Sequence, residues 1–360
     1  MSPVPYGFPK YEPVPQARTS NRTEYNVWNY LKLINYLGKL VESAGADRGA
    51  TDDVDDEFRP HDVTYLKLLL LWTYTLRFFQ FGKKASSWYY IDLLSASGLN
   101  YTKSDPNDPI PGSCFIVPLA DQRFYDPARS LENRFQKVYC LDMSPDSLAR
   151  IETRRAALEA KFGLEFPPYS YHSGDANAAI DKVLDEIELE AKKPLPKGKL
   201  GPLGLVFVDN LGLDISLDTI KKIQKRTRAD LVVHLPTRAI WRCINAAAAG
   251  VEQARLTAFF GGDAWREIKS EAEIPSAYHQ IVQQATGHEF QDFKPVPIKG
   301  ANSDFHLCIY VRHTSGTEGR NGWLSIIEKL AEECGKITHE RIREVRDLAQ
   351  GRRKTLSEYF

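Results

Sequence analysis

Between His61 and Phe81 the apolar residues recur every three or four positions, and that spacing predicts an amphipathic helix. Downstream the pattern shortens. Trp88–Leu93 (WYYIDL), Lys137–Asp142 (KVYCLD), Pro168–His172, Leu203–Asp209 (LGLVFVD) and Ala229–Leu235 (ADLVVHL) are brief runs rich in Val, Ile, Leu and Tyr. Several are almost continuously apolar, as strands covered on both faces are. Helical segments are expected between them, near 144–162, 176–193 and 216–227, and Ser144-Pro145 suits the cap and first position of the first. Strand–helix alternation of this kind implies an α/β fold with a doubly wound, mostly parallel sheet. A later run, Phe305–Arg312 (FHLCIYVR), is expected to complete that sheet.

This pattern divides the chain into residues 1–60 as an N-terminal arm and loop, 61–236 as a Rossmann-like core, and 237–287 as a helical insertion. Residues 288–318 then supply the final strands and 319–360 a helical C-terminal extension. The arm carries Pro3, Pro5, Pro9, Pro13 and Pro15, which favour extended chain, and Asp52–Glu57 reads as an acidic loop. Basic and acidic residues balance at 47 each, so any nucleic-acid contact has to be a local patch. Cys114, Cys140, Cys243, Cys308 and Cys334 lie far apart and match no metal-ligand spacing. They suit a reducing, cytoplasmic setting, and no secretory signal is expected. Leu66–Trp72, the most apolar stretch, is interrupted by Lys67 and is too short to span a bilayer.

In open α/β sheets ligands bind beyond the carboxyl ends of the strands. Four of the expected strands, or the loops just after them, present a carboxylate there: Asp92, Asp142, Asp175 and Asp209. A cationic sulfonium ligand with an ammonium group, a ribose diol and an adenine would use such a set. Asp92 could hold the ammonium end, Asp142 both ribose hydroxyls and Asp175 the adenine amino group, with Asp209 beside a transferable methyl. Each could instead cap the following helix. Ser144 is itself a cap, which frees Asp142. The loop after the first strand has only Gly98 where a dinucleotide fingerprint needs three glycines, and no Walker pattern occurs.

At these segments, from about Tyr65 to Leu330, the chain resembles the three-Cys-motif partner (TcmP) family, whose members have a methyltransferase-like Rossmann fold. Tyr89-Tyr90-Ile91-Asp92-Leu93-Leu94-Ser95-Ala96-Ser97-Gly98 is similar to the family's "yiDlfaGpG" loop. Pro111-Gly112-Ser113 with Val117-Pro118-Leu119-Ala120 resembles "GSp…aL", and Ser173-Gly174-Asp175-Ala176-Asn177 resembles "GDaN". Val206–Gly212 resembles "fiDPfG" and Phe259–Trp265 resembles "lfGtddW". The resemblance implies S-adenosylmethionine as cofactor, action on nucleic acid, and a protein partner carrying a three-cysteine motif. The cofactor contacts expected are Asp92, Leu94, Ala96, Gly98, Asp142, Met143, Asp175 and Ala176. Asp209 and Asn210 would orient the acceptor, and no metal is required.

Two departures bear on that reading. Ala96 stands where the family has Gly; a turn with positive φ there would cost about 1 kcal/mol and crowd the cofactor. Asn210 stands where Pro follows the strand-end Asp, which argues against methylation of an amino group. Two functions follow: a methyltransferase acting on nucleic acid or a macromolecular complex, or a catalytically silent module on the same fold.

Gly112 and Ser113 are expected to open a helix facing cofactor or substrate, or Ser113 simply to cap it. Arg238 and Arg242 share one helical face and flank Trp241, a pattern for phosphate contact and base stacking or for a solvated face. His234 closes the fifth strand, and Trp265 reads as a core anchor for the insertion. Arg341, Arg343, Arg346, Arg352, Arg353 and Lys354 make the tail locally basic.

Overall fold

The computed structural model describes residues 22–44, 64–102, 105–120, 134–247, 250–287, 290–299 and 304–312, with short helical pieces at 328–329, 332 and 344–347. Two helices, α1 (Arg22–Ser43) and α2 (Thr64–Phe81), precede strand β1 (Trp88–Asp92). A hairpin, β2 (Leu99–Thr102) and β3 (Asp105–Pro111), leads into the single-turn helix α3 (Ser113–Ile116). Then β4 (Lys137–Asp142), α4 (Pro145–Phe162), β5 (Tyr169–Ser173), α5 (Ala176–Ala191), β6 (Leu203–Asp209), α6 (Leu217–Arg226) and β7 (Ala229–Leu235) alternate. Helices α7 (Thr237–Ala247), α8 (Gln253–Phe260) and α9 (Ile274–Thr286) follow, and β8 (Phe290–Lys299) and β9 (Asp304–Arg312) close the sheet.

Seven strands pair in the order β5-β4-β1-β6-β7-β9-β8. All neighbours are parallel except around β9, which runs antiparallel to both β7 and β8. From β1 the chain winds outward through β4 and β5, then returns to the other side of β1 at β6, so the order reverses between β1 and β6. That is the doubly wound, mostly parallel sheet the alternation predicted, and its reversal point is where such sheets bind ligands. Apolar side chains bury both faces. Helices α1, α2 and α4 cover the face carrying Tyr90, Cys140, Phe207 and Val232. Helices α5, α6, α8 and α9 cover the face carrying Ile91, Leu141, Val208 and Val233.

Local chemistry sets the helix starts. Ser144 accepts from the Ser147 N–H with Pro145 in the first turn, and Gly163 ends α4 in the left-handed region at φ 62°. Asp175 caps α5 and Ser216 caps α6 in the same way.

One feature differs from the sequence expectation, and a second had no expectation attached to it. Residues 22–43, inside the stretch expected as arm and loop, form a helix that buries Leu33, Ile34, Leu37 and Val41 against the body. The proline-rich run Asp105–Pro111 pairs as a strand with β2 in a small separate sheet, where pairing on one side only tolerates the missing N–H groups. The early prolines, the acidic loop and Arg341, Arg343, Arg352, Arg353 and Lys354 lie outside the described residues. Arg346 is described; it is buried, with Asp347 at 3.6 Å, rather than part of an exposed basic face.

Candidate active site at the strand ends

The four carboxylates of the sequence pattern fall on four strands that are neighbours in space. Asp175 follows β5, Asp142 ends β4, Asp92 ends β1 and Asp209 ends β6. Side chains alternate between the faces of a strand. Asp92, Asp142 and Asp209 share parity with Tyr90, Cys140 and Phe207, so all three lie on the face covered by α1 and α2. The sheet therefore sets them in a row along one rim, with Asp175 at its end.

Asp92 is fully buried. Its Oδ2 accepts from Ser113 Oγ at 2.6 Å and from Tyr90 Oη at 3.1 Å, whereas Oδ1 is buried with no hydrogen-bond partner among the described residues. Burial pushes its carboxyl up to about 7, and the nearby Asp209 charge adds to the rise, while Ser113, Tyr90 and Lys67 partly oppose it. Ser113 thus serves Asp92 rather than capping α3, whose N-cap Gly112 makes no side-chain bond.

The loop after β1 is held at successive positions. Ser95 N–H donates to Leu141 O at 3.0 Å, Ala96 N–H to Asp142 Oδ2 at 2.9 Å, and Arg154 Nη1 to Ser97 O at 2.7 Å. Gly112 N–H closes the set on Gly98 O at 2.8 Å. Gly98 sits at φ 78°, and a Cβ on it would come within 2.4 Å of the Phe115 ring, so glycine is required there. Ala96 has φ 49°, the positive value raised above as a cost, and the residue is exposed. Asp142 Oδ1 accepts from Ser144 N–H at 2.9 Å, which leaves each of its oxygens a further lone pair.

Asp209, expected to orient the methyl acceptor, is engaged by two side chains of the protein itself. Lys67 Nζ, from α2, donates to both of its oxygens at 2.8 and 2.7 Å. His234 Nδ1, its register partner on β7, lies 3.1 Å from Oδ1, without the alignment of a hydrogen bond. Burial by itself would raise the Asp209 carboxyl, but Lys67 and His234 together hold it well below the ordinary range. Asn210, expected to orient the acceptor with it, lies in the interior. It is fully buried, its Nδ2 donates to His234 O at 3.3 Å, and its Oδ1 accepts from Ile215 N–H at 3.2 Å. Each end of the amide bonds backbone and the side chain is fully buried, so it ties β6 to β7.

The remaining positions divide between rim and interior. Met143 is 69% exposed beside Asp142, and Leu94 is half-buried. Ala176 is buried in the core under α5, and exposed Asp175 accepts from Asn177 N–H at 2.9 Å, the capping role weighed against adenine binding. Arg238 and Arg242 are exposed on α7 directly after β7, with no ion pair among the described residues, and Trp241 is half-buried beside them. Trp265 is 3% exposed in the core, as an anchor should be. Sequence reasoning gave Lys67 no role and saw no link to Tyr90 or Arg154. A lone Lys inside an apolar helical run was the available signal.

No protein-family model and no curated protein matches the chain, so the likeness to the three-Cys-motif partner family rests on its motifs. Among solved structures it is similar to the small RNA methyltransferase HEN1, at 10% identity and a TM-score of 0.35, over 70% of this chain. The chain spans about a quarter of that structure's length, 26%. It is similar to Trm1 from Pyrococcus horikoshii in complex with S-adenosyl-L-methionine, at 10% identity and a TM-score of 0.39, over 82% of this chain and 76% of the other. An rRNA methylase from Streptococcus thermophilus aligns at 12% identity and a TM-score of 0.28, over 69% of this chain and 97% of the other. The fold assignment rests on the strand order itself. Among the described residues, no helix is long and apolar enough to cross a membrane.

Proposed function

We propose that the chain is an S-adenosylmethionine-dependent methyltransferase acting on nucleic acid. The observation that carries this reading is Asp92 Oδ1, a buried carboxyl oxygen without a partner at the reversal point of a doubly wound sheet. A buried acceptor left empty costs about 1–3 kcal/mol, and an incoming ammonium N–H would satisfy it.

The other residues fit the same ligand. Asp142 keeps lone pairs for a ribose diol, and exposed Met143 offers apolar surface beside it. Gly174, at φ 116°, has no atom within 4 Å of where a Cβ would stand, which leaves room for a flat ring. Bound there, the donor supplies an electrophilic methyl carbon on a sulfonium. The chain's residues orient it, and Ser113 and Tyr90 hold Asp92 in place.

Arg238 and Arg242, exposed on α7 just after β7, with half-buried Trp241 beside them, would supply the local cationic and aromatic patch that a neutral protein needs for nucleic acid. The motif resemblance supports a protein partner with a three-cysteine motif. Cys114, Cys140, Cys243 and Cys308 are unpaired, which suits a reducing cytoplasm.

Calorimetric titration with S-adenosylhomocysteine tests the reading. Binding is expected, weakened about 10-fold or more by Asp142→Ala. Neither heat nor a thermal shift at millimolar ligand would leave the silent binding module as the function.

A further inference from the structure

Lys67, Asp209 and His234 form a polar group that cofactor binding does not use. It is buried between α2 and the ends of β6 and β7, and it opens at the rim through Asp209, whose side chain is 21% exposed. We propose that Asp209 and His234, held by Lys67, are a proton-accepting pair for a hydroxyl acceptor, so that the methyl group is placed on oxygen rather than on an amine nitrogen. This rests on the methyltransferase reading and narrows its substrate class.

Three observations support it. His234 is 8% exposed, and its Nε2 is buried with no partner among the described residues; the Phe305 ring meets it edge-to-face at 4.5 Å and offers no acceptor or donor. A nitrogen in that state is costly unless something binds to it. Second, Nδ1 lies 3.1 Å from Asp209 Oδ1, the arrangement in which a carboxylate holds the Nδ1–H tautomer and leaves Nε2 as the base. Such contacts commonly align only when substrate is bound. Third, both Asp209 oxygens are already engaged by Lys67. That ammonium lies within electrostatic reach of an acceptor oxygen at the rim, where negative charge developing as the proton leaves is stabilised.

The step balances without another reactant. The acceptor O–H bond breaks and its proton goes to His234 Nε2. The oxygen electron pair forms the new bond to the methyl carbon as the sulfur–methyl bond breaks, leaving a neutral thioether. Among the described residues, the charged groups around the pair are Lys67 from α2 and Asp92 from β1, the latter within electrostatic reach of Asp209.

The test uses the full chain with histidine-selective ¹⁵N labelling, His234 being assigned by the signals lost in His234→Gln. At pH 8 the expected ring carries its proton on Nδ1 with Nε2 bare, a preference that Asp209→Asn weakens. A proton on Nε2 overturns the pair, whatever the chemistry does. Incubation with methyl-tritiated S-adenosylmethionine and total RNA should place label in alkali-resistant dinucleotides, the mark of a methylated ribose hydroxyl. His234→Gln should slow this about 100-fold or more, with S-adenosylhomocysteine affinity unchanged. Label in the bases, or none in RNA, overturns the hydroxyl assignment. Failure of S-adenosylhomocysteine to bind the wild-type chain instead removes the methyltransferase reading, and the tautomer still decides whether the pair exists.

Discussion

The backbone N–H of Ala96 donates to Asp142 Oδ2 at 2.9 Å, so the loop after the first strand is fastened to the end of the second. That bond holds a non-glycine residue at φ 49°, where an L side chain is disfavoured. The loop is therefore set by its hydrogen bonds rather than by the identity of residue 96. Ala96→Gly should leave the fold intact and raise its stability by at most about 1 kcal/mol, since relief of strain is partly offset by unfolded-chain entropy. Gly98→Ala should cost more, about 2 kcal/mol or above, because it adds a clash with Phe115 to the same strain. Urea unfolding of both variants measures the contrast, and an Ala96→Gly loss as large as that of Gly98→Ala would contradict it.

Asp92 sets a stability gradient with pH. Its folded carboxyl titrates near 7, above the unfolded value, so the folded state binds the extra proton and stability falls as pH rises from about 4 to 7. Asp92→Asn removes that charge while keeping the shape and an oxygen for Ser113 and Tyr90. Relative to wild type it should gain about 2–3 kcal/mol between pH 5 and pH 8. Calorimetric melting at the two pH values checks this; a pH-independent difference would place the titration elsewhere.

The same carboxyl should couple ligand binding to protons. A cationic ammonium favours ionised Asp92, so S-adenosylhomocysteine affinity should rise from pH 6 to pH 8, with proton release at the lower pH. Titrations in buffers of different ionisation enthalpy count the protons, and Asp92→Asn should abolish the release.

Lys67→Met should destabilise the chain by about 3 kcal/mol, because it leaves Asp209 charged and largely buried beside Asp92. Adding Asp209→Asn should recover part of the loss. Equal, additive losses in a double-mutant cycle would mean that the two side chains do not share a pair.

Arg238→Glu with Arg242→Glu should weaken binding of single-stranded RNA and lower the slope of log affinity against log salt by about 1.4. Affinity for S-adenosylhomocysteine should not change. Filter binding across salt concentrations provides the measurement.

Much of the architecture was legible in the order of the residues. Strand cores from Trp88, Lys137, Leu203 and Ala229, the helices between them, and the Ser144 cap follow from periodicity and capping, which act over a few residues. The strand-end carboxylates were visible for the same reason. Helix α1 shows an apolar spacing of its own but sits behind a proline-rich start, and Asp105–Pro111 carries prolines, which cannot donate to a ladder and so give no strand signal.

The tertiary structure alone decided what each carboxylate does. Lys67 and Asp209 are 142 positions apart, and no local rule links them. Only the packing of α2 over β6 makes one side chain the counter-ion of the other. Likewise Ser113 meets Asp92, and Asn210 turns inward to the backbone, because folding buries these polar groups and each then takes the partner within reach. The sequence by itself determined where the elements lie and which rim carries the acidic groups. Long-range burial determined which of those groups are satisfied and which, as with Asp92 Oδ1 and His234 Nε2, are left open.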